Sequence, residues 1–137
     1  MPLQIINSFA TWILKKRIHQ MELFLKYPHE VQDELLFSLI KSAENTQIGR
    51  KYDFSSMKNY TTFSERIPVS TYEELEPLIE LTRKGEQNVF WHSNIKWFAK
   101  SSGTTNAKSK FIPVSSEALE NCHYKASKDL LCLYLNN

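Results

Sequence analysis

The chain has 137 residues, of which 42% are hydrophobic and 23% are charged, and its formal net charge is +2 at pH 7. A chain of this length can bury a core of its own and form one domain. The charges of both signs are interspersed, as in ordinary soluble proteins, so the composition gives no support for a nucleic-acid partner or a membrane partner.

The first 27 residues predict an amphipathic helix. The apolar stretch Leu3–Leu14 is interrupted by polar side chains and is shorter than the roughly 18 apolar residues that indicate a membrane span. It also lacks the basic start and the small-residue cleavage site of a secretory signal. We therefore expect a cytoplasmic protein. Apolar residues recur mostly at three- or four-residue intervals: Ile6, Phe9, Ile13, Met21 and Phe24.

The cysteines and histidines give no sign of a disulfide or a metal site. Cys122 and Cys132 lie ten residues apart in one predicted helix, about 15 Å along its axis, which is too far for a disulfide. We expect both thiols to be reduced and buried, as in a reducing compartment. We predict no zinc site, because four scattered histidines have no partner at metal-ligand spacing: His19, His29, His92 and His123.

A second helix is predicted from Pro28 to about Glu44, since proline is well tolerated in the first helical turn. Residues 49–63 show no sustained period, and their aromatic side chains indicate an ordered connection. Arg66 is interpreted as a structural residue that ties the extended piece after it, near Pro68, to the body. The inward face of the second helix is predicted to carry Val31, Leu35, Leu39 and Ala43.

A further helix is predicted to begin after Thr71, which forms the spacing of a capping box with Glu74. Pro77 predicts that this helix is short or kinked, because proline removes one internal hydrogen bond. Gly85 can end it in the left-handed conformation. The core-facing residues are expected to be Leu75, Leu78 and Ile79.

Two short strands are predicted next, at Ile95–Ala99 and Phe111–Val114, with a polar loop between them. The last segment, from Ser116 to Leu135, predicts a helix with one apolar side. The fold class expected from these elements is mixed α/β, with helices first, then a strand-loop-strand hairpin and a C-terminal helix. Because a long apolar-sided helix needs a partner surface, we also expect the natural molecule to continue beyond residue 137.

The loop between the strands carries the candidate chemistry. Its donors are the hydroxyl groups around Gly103, the backbone amides that glycine frees, and two ammonium groups, and such donors can surround a phosphate chain. It is not a Walker A loop, because no Gly-Lys-Ser/Thr follows at the required distance and the next element is a strand. A solvated loop without function has the same composition. The candidate residues are Ser101, Ser102, Gly103, Thr104, Thr105, Lys108 and Lys110.

The stretches Phe98–Thr105 (FAKSSGTT) and Lys110–Pro113 (KFIP) resemble a family motif of Ser-Ser-Gly-Thr-Ser/Thr followed by Lys-Phe-Ile/Leu-Pro. The motif is that of the auxin-responsive promoter family of acyl acid–amido synthetases, named after the plant Gretchen Hagen gene, within the adenylate-forming enzymes. The similarity covers roughly residues 45–120. Weaker matches in the expected order are Gly49–Tyr52, Phe63, Arg66, Pro68, Val69, Tyr72 and Gly85-Glu86.

This resemblance implies the N-terminal portion of an ATP-dependent acyl-adenylating ligase. Such enzymes use Mg²⁺ and ATP to activate a carboxylic acid as an acyl-adenylate, and many then pass the acyl group to an amino acid. Ser101–Thr105 would bind the β- and γ-phosphates, Lys110 would be the motif lysine, and Lys108 lies at a variable position. The family often has glycine in place of Ala107 and proline in place of Ser109, and alanine restricts the backbone there.

By the same resemblance, residues 1–137 would be part of one adenylate-forming domain, inactive by itself. Residues 1–45 would be a helical lead-in, 46–94 a connecting region with a short helix, and 95–137 the nucleotide-motif hairpin with a helix. The resemblance assigns no catalytic residue within this stretch.

Two other functions stay open. One is a helical interaction module whose Ser/Thr/Lys loop is only a connector. The other is single-strand nucleic-acid binding by Trp91, Trp97 and Phe98 beside Lys96 and Lys100. Alternation along a strand explains these aromatic side chains more simply, and the small net charge argues against nucleic acid.

Overall fold

The computed structural model describes residues 2–101 and 109–136, with side chains at position 12 and from 15 to 134 within those ranges. The fold is mixed α/β, mostly helical with a two-stranded antiparallel sheet, which confirms the predicted class. The contacts divide the chain into two compact units, residues 1–32 with 119–137 and residues 33–118. No helix in the described ranges is long and apolar enough to cross a lipid bilayer.

The first unit is built from the two ends of the chain. Helix α1 (Pro2–Lys26) follows the predicted bounds closely. The predicted final helix is confirmed in position but is not uniform. Its first turn, α6 (Ser116–Ala118), belongs to the second unit, and the first unit has a π-helical stretch (Leu119–Tyr124) and helix α7 (Lys125–Asn136). Helices α1 and α7 are in contact.

A bidentate ion pair links α1 to α7. The guanidinium of Arg17 donates from Nε to Oδ1 of Asp129 at 2.5 Å and from Nη2 to Oδ2 at 2.6 Å. The two side chains are only 14% and 23% exposed. The hydrogen bond from Arg17 lowers the pKa of Asp129 below its ordinary value, and the same bond raises the pKa of Arg17.

The two cysteines differ in exposure. Cys132 lies on α7 and is buried, as expected, whereas Cys122 lies in the π-helical stretch and is exposed. The prediction that both thiols are buried was therefore wrong for Cys122. Its segment has no buried residue, so an apolar period along the sequence overstated how much of this helix is covered.

The second unit contains most of helix α2 (Pro28–Ala43), whose bounds agree with the prediction. The predicted inward face is correct at Ala43 and wrong at Leu35 and Leu39. Ile40 and Ala43 are buried and Leu36 is half-buried, whereas Leu35 and Leu39 are exposed. The helical period was correct, but it fits two neighbouring rows of apolar residues, one with Leu35 and Leu39 and one with Leu36 and Ile40. Only the second row is covered by the rest of the protein.

Short helices replace the predicted connection between α2 and the capping-box helix. They are α3 (Gln47–Lys51), a 3₁₀ turn (Phe54–Ser56) and α4 (Tyr60–Arg66). Asn59 caps α4, since its Oδ1 accepts from the backbone N–H of Thr62 at 2.8 Å. These helices are too short to show an apolar period, so they depend on side-chain caps that the periodicity does not reveal.

Thr46 occupies the centre of this unit and is fully buried, with 0% of its surface exposed. Its hydroxyl donates to the carbonyl of Ala43 at 2.7 Å and accepts from the N–H of Gly49 at 3.0 Å. A buried hydroxyl with both functions satisfied stabilises the fold, and here it joins the end of α2 to the start of α3.

The segment after α5 completes the start of α3. The free backbone N–H groups of Gln47 and Ile48 donate to the carbonyls of Asn88 (2.7 Å) and Val89 (3.2 Å). Val89 is almost completely buried. Chain segments 40 residues apart in sequence therefore share one small core, which no local pattern could have indicated.

Helix α5 (Tyr72–Arg83) has the predicted capping box. The N–H of Glu74 donates to Thr71 Oγ1 at 3.3 Å, and Glu74 Oε2 accepts from the N–H of Thr71 at 2.7 Å. The helix is 12 residues long and includes Pro77. It ends before Gly85, whose φ of +96° is the left-handed conformation expected of the residue that ends a helix. Of its predicted core residues, Ile79 is buried and Leu75 and Leu78 are half-buried.

Strands β1 (Trp97–Lys100) and β2 (Phe111–Val114) form the predicted hairpin. They pair antiparallel, with Trp97 opposite Val114 and Lys100 opposite Phe111. Lys100–Phe111 is thus the last strand pair before the loop, and the residues just beyond it form the base of the candidate site.

Candidate phosphate-binding hairpin

Ser101 and Lys110 face each other immediately beyond the strand pairs. The N–H of Ser101 donates to the carbonyl of Lys110 at 2.9 Å, and the N–H of Lys110 donates to Ser101 Oγ at 3.2 Å. These bonds extend the hairpin by one pair and fix both ends of the loop. The sequence motif thus has its first hydroxyl and its lysine side by side at the base of the loop.

The remaining predicted site residues, Ser102, Gly103, Thr104, Thr105 and Lys108, lie outside the described residues. The described part of the site consists of Ser101, Lys110 and the groups that contact them.

Lys110 is held by the first turn of α5. Its Nζ donates to Glu73 Oε1 at 2.8 Å and lies 4.8 Å from the centre of the Tyr72 ring. The Lys110 side chain is 41% exposed and that of Glu73 is 67% exposed. The hydrogen bond from Lys110 lowers the pKa of Glu73 below its ordinary value.

Tyr72 also holds the backbone of the hairpin. Its hydroxyl accepts from the N–H of Phe111 at 3.0 Å, directly after the lysine that stacks on its ring. The Phe111 ring in turn lies 4.1 Å from the guanidinium carbon of Arg83, at the other end of α5. Both ends of this helix are therefore attached to the start of β2.

The contacts of Tyr72 and Glu73 were not predicted from the sequence. Tyr72 is one of the weaker motif matches, and Glu73 belongs to no motif. The capping box did place both in the first turn of a helix, because Thr71 immediately precedes them. Nothing local could reveal that a residue 37 positions further along packs against that turn.

The described donors have the chemistry that a phosphate chain requires. Lys110 supplies an ammonium group near the mouth of the hairpin. Ser101 uses an acceptor lone pair toward Lys110, which leaves its hydroxyl proton able to point to a ligand. One hydroxyl and one ammonium are thus the described donors that a phosphate ligand could use. For Mg²⁺, no group of three acidic, histidine or cysteine side chains is found among the described residues, so we assign no ligand to it.

A second polar cluster lies where the segment before β1 meets α6. Glu117 accepts from Ser93 Oγ at 2.8 Å, and its other oxygen is 3.6 Å from His92 Nε2. The pKa of Glu117 is lowered, first by its own backbone N–H and then by Ser93 and Ser115. The serine hydroxyl donates to the carboxylate and not to the imidazole, so this cluster joins two segments and does not form a nucleophile–base pair.

Arg66 is a structural residue, as predicted, but with different partners. Its Nη1 donates to the carbonyl of Asp53 at 2.8 Å and to Ser56 Oγ at 2.7 Å, instead of tying down the segment near Pro68. A half-open cleft of about 350 Å³ lies beside Asp53. Neither Ser101 nor Lys110 lines this cleft. Its lining residues are Glu44, Asn45, Gly49, Arg50, Asp53 and Ser55.

Comparison with known proteins agrees with the motif. The sequence model of the GH3 family N-terminal domain matches residues 17–137, which is most of the chain. The chain belongs to the GH3 family. The resemblance predicted from the FAKSSGTT and KFIP stretches is thereby confirmed.

Curated relatives of this GH3 chain are named as synthetases. The chain is 29% identical over 106 residues to an indole-3-acetic acid-amido synthetase, GH3.2, of Arabidopsis thaliana. This alignment covers 77% of the chain and 19% of the relative. The chain is 27% identical over 105 residues to a jasmonoyl–L-amino acid synthetase, JAR4, of Nicotiana attenuata. This alignment covers 76% of the chain and 18% of the relative. The GH3 chain therefore spans about a fifth of the length of these relatives.

Proposed function

We propose that this GH3 chain is the N-terminal portion of an ATP-dependent acyl-adenylating ligase and that its hairpin binds the phosphates of ATP. One observation carries the proposal. The first hydroxyl and the lysine of the family motif, Ser101 and Lys110, are hydrogen-bonded to each other at the base of the hairpin loop. Relatives that share this part of the sequence are named an indole-3-acetic acid-amido synthetase and a jasmonoyl–L-amino acid synthetase, which supports a ligase activity of this class.

The residues of the hairpin act by binding charge. When a carboxylate attacks the α-phosphorus of ATP, pyrophosphate leaves and negative charge develops on its oxygens. Fixed donors around those oxygens stabilise the charge more in the transition state than in the ground state. In this proposal Ser101 donates from its hydroxyl group, because its N–H is bonded to Lys110. Ser102, Thr104 and Thr105 donate from hydroxyl groups and backbone amides. Gly103 allows the close approach of backbone that such a loop needs.

The two lysines have different roles in the proposal. Lys110 supplies the positive charge of the motif. The hairpin fixes its backbone at the base of the loop, while its ammonium is bonded to Glu73. Lys108 is a second, less constrained cation. Mg²⁺ would accompany ATP, and the described residues offer no group of ligands for it.

The substrates proposed for the full-length protein are a small-molecule carboxylic acid and, for amide formation, an amino acid. The proposed compartment is the cytoplasm. The fragment of 137 residues is proposed to be inactive alone, because it spans about a fifth of its relatives.

The test is acid-dependent exchange of pyrophosphate into ATP by the full-length protein. Replacing Thr104→Ala together with Lys110→Ala removes one hydroxyl and one ammonium from the site. Loss of such donors typically lowers turnover about 100-fold or more. Lys96→Ala is the matched control, because Lys96 is exposed just before β1 and should leave exchange unchanged. If the double variant exchanges pyrophosphate at the wild-type rate, the hairpin does not bind the phosphates.

A further inference from the structure

Three contacts made by two consecutive residues converge on the motif lysine. Glu73 binds the Lys110 ammonium, the ring of Tyr72 lies beneath it, and the Tyr72 hydroxyl holds the N–H of Phe111. The first turn of α5 therefore contacts both the charge and the backbone at the end of the loop. No other described acidic side chain forms an ion pair with Lys110.

We propose that Glu73 is the partner of the motif lysine before nucleotide binds and that Tyr72 positions the start of β2 beside it. Glu73 holds the Lys110 ammonium at the side of the hairpin before nucleotide binds and releases it when phosphate arrives. Tyr72 keeps the start of β2 in place while the ammonium moves. This proposal rests on the proposed function, because the release requires that the hairpin binds a phosphate chain.

The exposure of the pair makes the release possible. Glu73 is 67% exposed and Lys110 is 41% exposed, and exposed ion pairs contribute little because water screens them. A phosphate chain carries several negative charges and binds an ammonium more strongly than one carboxylate does. Competition from Glu73 should therefore weaken ATP binding by no more than about fivefold.

Tyr72 acts differently from Glu73. Its ring is half-buried and its hydroxyl is engaged by the Phe111 N–H, so it belongs to the fixed part of the site. Tyr72→Phe retains the ring beneath the ammonium and removes only the hydrogen bond to β2. The loss of one such bond should weaken ATP binding roughly 2- to 10-fold.

The experiment follows the Lys110 ammonium directly in the full-length protein. Lysines are converted to their ¹³C-dimethyl derivatives, which keep the positive charge, and the Lys110 signal is assigned with Lys110→Arg. Without nucleotide, Glu73→Gln is expected to shift this signal. Glu76→Gln, an exposed carboxylate on the same helix, is the matched control and should leave it in place. ATP should then move the wild-type signal to the position that it takes in ATP-bound Glu73→Gln.

Calorimetric binding of ATP supplies the second readout. Glu73→Gln is expected to bind ATP up to about fivefold more tightly than the wild type, and Glu76→Gln to bind it equally. A purely structural role for Glu73 would give weaker binding. Tyr72→Phe should bind more weakly while its Lys110 signal without nucleotide stays near the wild-type position.

The outcomes separate this proposal from the proposed function. If Glu73→Gln leaves the Lys110 signal unchanged without nucleotide, the pairing with Glu73 is refuted, whatever ATP does. If ATP moves the Lys110 signal neither in the wild type nor in Glu73→Gln, the phosphate-binding function is refuted, but the ion pair between Glu73 and Lys110 is not. If ATP moves the signal but Glu73→Gln binds ATP no more tightly than the wild type, release from Glu73 is refuted. Wild-type affinity in Tyr72→Phe would overturn the role of Tyr72.

Discussion

Of the two described glycines, Gly49 should be the one whose replacement by alanine destabilises the fold more. A Cβ atom at position 49 would lie 2.1 Å from the carbonyl oxygen of Ala43 and 2.7 Å from that of Glu44. Both obstacles are backbone atoms, and the first contact is roughly 1 Å shorter than real Cβ atoms tolerate. The substitution therefore requires a shift of α3 away from the end of α2.

The size of the effect follows from what that shift disrupts. The Thr46 hydroxyl would lose its 3.0 Å bond from the Gly49 N–H, and loss of a helix cap costs about 1 kcal/mol. Overpacking a close contact adds about 1–3 kcal/mol. Alanine regains up to about 1 kcal/mol because it is a better helix former than glycine. The net loss of stability should be about 1–3 kcal/mol.

The measurement is the free energy of unfolding in urea, followed by far-ultraviolet circular dichroism. Gly85→Ala is the matched control. Its Cβ would meet nothing within 4 Å, but its φ of +96° should cost about 1 kcal/mol. A loss smaller than about 1 kcal/mol for Gly49→Ala, or a larger loss for Gly85→Ala, would refute the steric argument.

Two further predictions concern the first unit. Asp129→Asn breaks the bidentate pair with Arg17 and should lower stability by about 1–2 kcal/mol at pH 7. Because the folded-state pKa of Asp129 is lowered, this contribution is present above the unfolded pKa of about 3.9 and is lost as the pH falls through the folded pKa. Urea titrations should thus show a constant difference in the free energy of unfolding between wild type and variant from pH 7 to about pH 5, and a smaller difference below about pH 4. A difference that does not depend on pH would contradict the pairing. Iodoacetamide should alkylate the exposed Cys122 at least about 10-fold faster than the buried Cys132, as peptide mass spectrometry would show. Equal rates in the folded protein would mean that the Cys132 thiol is not buried.

Features encoded by neighbouring residues were predictable from the sequence. The capping box of Thr71 and Glu74, the stop at Gly85 and the hairpin of β1 and β2 all follow from short patterns, and the structure has each of them. Each of these patterns fixes backbone conformation within a few residues, so it needs no knowledge of the rest of the fold.

Features that depend on distant partners were not predictable. The apolar rows of α2 containing Leu39 and Ile40 have nearly equal periodicity, and only the packing of the second unit decides that Ile40 is buried. The helix α3 depends on carbonyl groups of Asn88 and Val89, far along the chain. Likewise, the motif predicted Lys110 as a site residue, but Glu73 is found only once the fold brings α5 to the hairpin.

The capping box of α5 has a consequence beyond helix stability. Thr71 ends the extended approach and makes Tyr72 the first helical residue, so it sets the rotation of the side chains that face the hairpin. A helix start that unravelled by a single residue would turn the phenol and the carboxylate away from the motif lysine. The accuracy with which this cation is placed is thus determined nearly forty residues upstream, at a threonine that itself touches no part of the hairpin strands in the described contacts.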